Sequence, residues 1–438
     1  MKKTLCAISL VVLFVALGAT AASAQFSTVT SFQVQNLSSD TANIYITFYD
    51  VNGDPVAAAN VSDTIAGNAS KLYTQANNNS LPVAFNGSVV VSSDKEVAAI
   101  GIQESSNASS QKYQGTYSAF SSDQASATFY IPTVMKAFYG YTTEISVQNA
   151  GSTDVDVTIN YAGGYTDSVT GLTPGQVHRF DNSVTPSMPN GYIGSATISA
   201  TGGEIVAIVN QNNVAAIQQQ TYEGFAVADS GTELYAPVLM RGFYGFNTSV
   251  QVQNIGSGST NVTILYSNGA TDTQTLAAGA GHLFTQGNET ALPASWIGSA
   301  VISSTVENVV AVVNQQSTAS GKAASYNAFA SASTSYVGPN VMKGFYGFNT
   351  SVQVQNVGAT ATTCVASFSN GTNQTSPSLS QYETHLFTQA NNGALPASFI
   401  GSVSLTCGGQ PFVAIVNQNG ADGAGDNAMA YNAIVSAP

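Results

Sequence analysis

Asn349-Thr350-Ser351-Val352-Gln353-Val354-Gln355-Asn356 alternates valine with glutamine and ends on asparagine, and the same eight residues recur at 247–254. Shorter versions end at Asn36 (Val34-Gln35-Asn36) and Asn149 (Val147-Gln148-Asn149). The four asparagines are 113, 105 and 102 residues apart. Apolar-polar alternation with period two is a strand that buries one face and wets the other. A period near 100 residues is a whole domain, not a rung of a solenoid.

Two further phrases keep the same order. Ile-Gly-Ser stands at Ile193-Gly194-Ser195, Ile297-Gly298-Ser299 and Ile400-Gly401-Ser402, with Asn86-Gly87-Ser88 in the first copy. A Val-Ala-x-Val-Asn-Gln phrase ends at Gln211, Gln315 and Gln418, and the first copy degrades it to Val97-Ala98-Ala99-Ile100-Gly101-Ile102-Gln103. In the third copy, strand-like runs fall at 234–240, 249–254, 261–266, 271–276, 281–285, 298–303, 309–314 and 323–329. Asn268-Gly269 and Gly256-Ser257 separate some of them as turns. A longer loop, 284–298, carries Leu292-Pro293 and then Trp296, read as a plug at one end of the domain. No amphipathic helix follows residue 24. The fold expected is all-β: four tandem immunoglobulin-like β-sandwich domains in an elongated array. The short polar links at 121–125, 229–232 and 331–334 predict a semi-rigid rod.

Met1, Lys2 and Lys3 precede an apolar run over 5–17 that ends in Ala22-Ser23-Ala24, the small-x-small pattern of a signal-peptidase site. Cleavage is expected before Gln25, with export to the cell surface or beyond. The run is too short to span a bilayer comfortably, and the mature chain is expected to carry no transmembrane segment. The chain divides into a signal peptide, 1–24, and sandwich repeats at 25–124, 125–230, 231–333 and 334–438. The first repeat differs from the rest. Copies two to four open on Pro132-Thr133-Val134-Met135, Pro237-Val238-Leu239-Met240 and Pro339-Asn340-Val341-Met342, and the first has no equivalent. It is expected to lack its first strand, unless residues 25–30 fill the gap. An open sheet edge invites pairing with another chain.

Only 8% of residues are charged, against about 25% in an average globular protein. The formal charge is −13, and −15 once Lys2 and Lys3 are removed. Such a chain repels nucleic acid and lacks the basic clusters that bind anionic lipid. Its surface must be covered by Ser, Thr, Asn, Gln and Gly, which suits association with copies of itself.

Few residues suggest chemistry. His178, His282 and His385 occupy one equivalent position in three copies, a domain apart, and do not form a zinc site. Asp50-Val51-Asn52-Gly53-Asp54 resembles a calcium loop but reads better as a hairpin turn, so weak calcium binding is unsupported and no cofactor is expected. No nucleophile elbow, zinc-protease motif or phosphate loop is present, and no enzyme activity is expected. Cys364 and Cys407 fall on inward parity in the fourth copy, predicting an intradomain disulfide. The aromatic phrases Phe138-Tyr139-Gly140-Tyr141, Phe243-Tyr244-Gly245-Phe246 and Phe345-Tyr346-Gly347-Phe348 offer either an interaction surface or a glycine turn whose aromatics seal a domain junction.

The repeats resemble the tandem Ig-like domains of bacterial surface-layer, adhesin and filament-forming proteins. The stretch 341–356, from Val341-Met342-Lys343-Gly344 to Asn356, looks like a repeat of exported bacterial proteins. The resemblance implies a structural role and carries no catalytic residues. The function expected is that of a self-associating subunit of a surface layer or extracellular filament. The alternative is an adhesin or carbohydrate-binding protein that meets glycans or other surface proteins through the aromatic phrases.

Overall fold

The computed structural model describes residues 8–12, 26–185, 187–420 and 425–436. They form an all-β structure of eight sheets paired into four sandwiches. In the third unit the eight strands are Glu233–Arg241, Asn247–Asn254, Thr260–Tyr266, Thr271–Leu276, Gly281–Thr285, Trp296–Ser304, Val309–Ser317 and Lys322–Asn327. One sheet has the order first-sixth-third-fourth, the other fifth-second-seventh-eighth. The second and fourth units repeat this order, with one short added strand, Ile434–Val435, at the edge of the fourth.

The two-sheet sandwich is as expected, but its strand membership is its own. In an immunoglobulin domain the first two strands share a sheet. Here they lie in opposite sheets. The Tyr-Gly pair of each aromatic phrase turns the corner between them. Phe138 and Tyr141 exchange backbone hydrogen bonds around Tyr139 and Gly140, whose φ values are 47° and 84°. Two successive positive φ angles are the signature of a type I′ turn.

The outer sheets follow the expected alternation. Val155–Tyr161 is buried and exposed at strictly alternate positions. The inner sheets do not. Gln251 and Gln253, read as a wetted face, are 2% and 1% exposed. Their face is covered by protein because the units are not strung out along a rod. The eighth strand of each unit, Lys112–Ser118, Gln218–Glu223, Lys322–Asn327 and Ala428–Asn432, packs against two of the others, and the fourth packs against the first. The chain closes into a ring of four sandwiches, and the elongated array is replaced by a closed one.

This closure explains the repeated phrases. Ser88 Oγ donates to Gly175 O at 2.8 Å, Ser195 to Gly279 O at 2.9 Å and Ser299 to Tyr382 O at 2.8 Å, each reaching the next unit. Gln211 Nε2 donates to Asn314 Oδ1 at 3.3 Å, and Gln315 Nε2 to Asn417 Oδ1 at 3.0 Å, again across a seam. The first unit has Ile102 where the asparagine would stand, so the closing seam differs. It is held by Gln33 donating to Pro339 O at 2.8 Å and Thr116 to Ala430 O at 2.8 Å. The asparagine of Val-Gln-Asn works within its unit. Asn254 Nδ2 donates to Gly258 O and Leu276 O, while its Oδ1 accepts from Gly256 N. Asn36, Asn149 and Asn356 clamp the same loop in their own units. The glycine of Ile-Gly-Ser is required by close packing: a Cβ at Gly298 would lie 2.4 Å from the Trp296 ring. Phe85, Tyr192 and Phe399 fold over Gly87, Gly194 and Gly401 in the same way.

The long loop plugs the sandwich end as expected. Leu292 and Leu395 are buried, and the Trp296 ring meets Tyr266 edge-on at 5.9 Å. The loop carbonyls are held by scarce cations: Lys136 donates to Thr185 O at 2.7 Å, Lys343 to Asn392 O at 2.7 Å, and Arg241 to Leu292 O.

The described residues of the first repeat, 26–124, supply no counterpart of the first strands of the other units. The place of its missing strand is taken by Ile8–Val12, from within the apolar N-terminal run. This segment pairs antiparallel with Gly87–Ser93 on one side and with Phe120–Ser121 on the other. Residues 26–30 do not fill that place, and Gln25 lies outside the described residues. Phe26–Asn36 instead lengthens the opposite sheet, pairing along its whole length with Val97–Asn107.

Candidate interaction surface

The aromatic phrases split into two jobs. Tyr139, Tyr244 and Tyr346 are 86%, 86% and 89% exposed. Each sits at the first central position of its turn with φ 47°, in the left-handed region that a tyrosine rarely adopts. Phe138, Phe243 and Phe345 are half-buried and meet the adjacent tyrosine ring edge-on at 4.7, 4.6 and 4.6 Å. The third aromatic faces inward. Tyr141 is buried, its hydroxyl donating to Gln218 Oε1 at 2.7 Å and accepting from Gln316 Nε2 of the next unit at 2.9 Å. Phe246 and Phe348 are half-buried at the equivalent positions. The junction is sealed by Tyr141, while the turn tyrosines project into solvent. Three equivalent units of a ring thus present three equivalent aromatic tips. Strained backbone kept at an exposed position is a feature of contact sites.

A concavity lies where all four units meet. A cavity of about 570 Å³ is lined by Ser118, Glu223, Asn327 and Asn432, the residues that directly follow the four equivalent tyrosines Tyr117, Tyr222, Tyr326 and Tyr431. They form a hydrogen-bonded girdle. Ser118 N donates to Glu223 Oε1, Asn327 Nδ2 to Glu223 O at 2.9 Å, Asn327 N to Asn432 Oδ1 at 3.0 Å, and Ser118 Oγ to Asn432 O at 3.1 Å. Burial raises the Glu223 carboxyl to about 7, against the hydrogen bonds from Ser118 that favour its ionised form. Asp426 is a related tie. It accepts from Gln219 N, Ala323 N and Ala428 N at 3.1, 3.0 and 3.0 Å, joining three units, and burial raises it to about 7 despite these donors.

The remaining candidates are structural. Cys364 and Cys407 are joined, with an S–S distance of 1.97 Å, and both are buried. His178, His282 and His385 each stand in the fifth strand of a separate unit, edge-on to Phe180, Phe284 and Phe387 at 4.5, 4.7 and 4.7 Å. Burial lowers His178 and His385 below the usual imidazole range. Among the described residues no group of three or more His, Cys, Asp or Glu side chains is placed to hold a metal ion. In the Asp50–Asp54 turn the Asp50 carboxylate accepts from Asn52 N and Asp54 N at 2.8 and 3.1 Å. Thr173 Oγ1 reaches Asn52 O at 2.8 Å, so this turn docks on the second unit.

No family model matches the chain, and no curated protein matches it. Among solved structures, the chain is similar to one described as a tetra-tandem repeat in the extending region of a large adhesion protein. The identity is 11% over 98% of this chain and 100% of that chain, with a TM-score of 0.11, and nothing is carried over from it to this chain.

Proposed function

We propose that this chain is an exported structural protein of a bacterial cell surface, a building block of a surface layer or extracellular filament that associates with copies of itself. The observation that carries the reading is the repeated exposed tyrosine tip, present on three of four units of one ring. An isolated exposed aromatic needs no explanation, whereas the same strained one three times marks a contact surface. The disulfide in the fourth unit supports an oxidising compartment, and the N-terminal Ala22-Ser23-Ala24 supports removal of a leader. Low charge suits packing of copies side by side.

The same tips support a second reading, an adhesin that stacks sugars on tyrosine rings. One experiment separates them. Negative-stain microscopy is done on the purified protein and on a Tyr139→Ser, Tyr244→Ser, Tyr346→Ser variant, alongside retention on a glycan array. Ordered sheets or filaments lost in the variant support the structural reading. Dispersed particles that bind glycan only with the tyrosines intact support the adhesin. Dispersed particles with no tyrosine-dependent binding defeat both.

A further inference from the structure

The first strand of a unit carries a bulge at its proline, and the eighth strand supplies a tyrosine to hold it. Register shifts between Ile131 and Val134, between Ala236 and Leu239, and between Gly338 and Val341. In each bulge one residue turns both backbone groups to the tyrosine hydroxyl. Tyr222 donates to Thr133 O at 2.8 Å, Tyr326 to Val238 O at 2.6 Å and Tyr431 to Asn340 O at 2.8 Å. Each hydroxyl also accepts the N–H of the same residue, at 3.4, 3.1 and 3.2 Å. Tyr117 occupies this position in the first unit. It is 1% exposed, and its hydroxyl has no hydrogen-bond partner among the described residues.

The slot beside Tyr117 is bounded by the backbone edges of Gly87–Ser93 and Phe120–Ser121. Ile8–Val12 lies in it with Leu10 opposite Val91 and Val12 opposite Val89. That segment is five residues long, where the first strands of the other units have nine. It belongs to the leader of the reading above. From Phe26 onward each described strand of the first unit, apart from the two residues Phe120–Ser121 at the far side of the slot, is paired without this segment, and Phe26–Asn36 is committed to the opposite sheet.

We infer that removal of the leader turns this slot into a strand-accepting site, and that its occupant is an extended, uncharged, alternately apolar segment of a different polypeptide. This rests on the proposed cleavage before Gln25. The chemistry follows from the walls. The edge of Gly87–Ser93 offers backbone donors and acceptors to an antiparallel strand. Val89 and Val91, both fully buried, require apolar residues opposite them. The Tyr117 hydroxyl requires a backbone carbonyl beyond them, as in the other units. A second copy is not the donor, because its own described strands are committed to its sheets.

The test uses the full chain with a specific protease site inserted between Ala24 and Gln25, folded first and then cut. The probe is a fluorescent, end-capped peptide of residues 128–135, uncharged and taken from the chain's own first strand of the second unit, titrated with the protein and followed by anisotropy. The cut protein is expected to take up the peptide saturably and to slow amide exchange at Val89–Ser93, while the uncut protein takes up none. A peptide with Asp in place of Phe129 and Ile131 should bind at least tenfold more weakly. Tyr117→Phe in the protein should weaken the parent peptide about three- to tenfold, the worth of one buried hydrogen bond. Equal behaviour of cut and uncut protein overturns the site. Concentration-dependent oligomers that protect Val89–Ser93 without peptide overturn the stated occupant. N-terminal sequencing of the exported protein judges the leader separately: retention of Ile8–Val12 would sink that premise while the titration still decides whether the slot accepts a strand.

Discussion

Replacing Tyr326 by Phe removes one oxygen from the core of the third unit and leaves Val238 N–H and C=O without their partner. Both groups are buried in a bulge that has no ladder partner to replace the hydroxyl. An unsatisfied buried polar group costs about 1–3 kcal/mol, so the substitution should destabilise the unit by about 2–3 kcal/mol, allowing for some relaxation. Tyr222→Phe and Tyr431→Phe should cost the same, because their bonds are the same. Tyr117→Phe should not. Its hydroxyl has no partner among the described residues, so its removal should be neutral or stabilise by up to about 1 kcal/mol. Trp296 is the single tryptophan and packs on Tyr266 in the third unit, so its fluorescence in urea reports Tyr326→Phe directly. Amide exchange of the core strands reports the others. Equal loss in Tyr117→Phe and Tyr326→Phe would refute the reasoning, since it would require an acceptor for Tyr117 in the intact chain.

Reduction of the disulfide, or Cys364→Ala with Cys407→Ala, opens a loop with a sequence separation of 43, and the chain-entropy relation puts the loss at about 4 kcal/mol. Calorimetry should show the fourth unit melting first; an unchanged thermogram would contradict this. Glu144, Glu223 and Asp426 have folded values raised to about 7, chiefly by burial. For a raised acid, the folded state holds the extra proton between the unfolded value and about 7, so the stabilisation is complete below about pH 4 and lost as pH rises through 7. The unfolding free energy should therefore fall between pH 5 and pH 8 by at most about 2.5 kcal/mol per group, the melting temperature falling with it, and a rise across that window would contradict the assignment. Tyr244→Asn relieves a left-handed φ that asparagine tolerates better, and should raise stability by about 0.5–1 kcal/mol in a urea titration, where a loss of stability would contradict the reading of strain.

The strands were legible because alternation and turn chemistry are local. The runs at 271–276 and 281–285 match the observed strands residue for residue, and the others shift by a few residues at their ends. Inward valines such as Val250 and Val252 were legible for the same reason. The ring was not. Gln251, Gln253, Gln315 and Ser299 are polar residues in strands, and a polar residue in an alternating strand reads as wet. In the ring a neighbouring unit covers that face and gives Gln253, Ser299 and Gln315 each a partner. A signal was present: the phrases repeat their glutamine, asparagine and serine as faithfully as their valines, and a merely wetted face has no need of that. The exposed tyrosines were half legible. The glycine turn follows from Phe-Tyr-Gly, but that the middle aromatic points outward depends on a type I′ corner, which strand pairing alone determines.

Small-angle scattering of the purified chain in dilute solution tests the closed ring most directly. A compact body of this chain length should have a radius of gyration of about 22 Å, little affected by concentration. Four units of about 30 Å each, laid end to end, would give a value well above 30 Å. The first result is the one the ring requires, and the second would return the molecule to a rod.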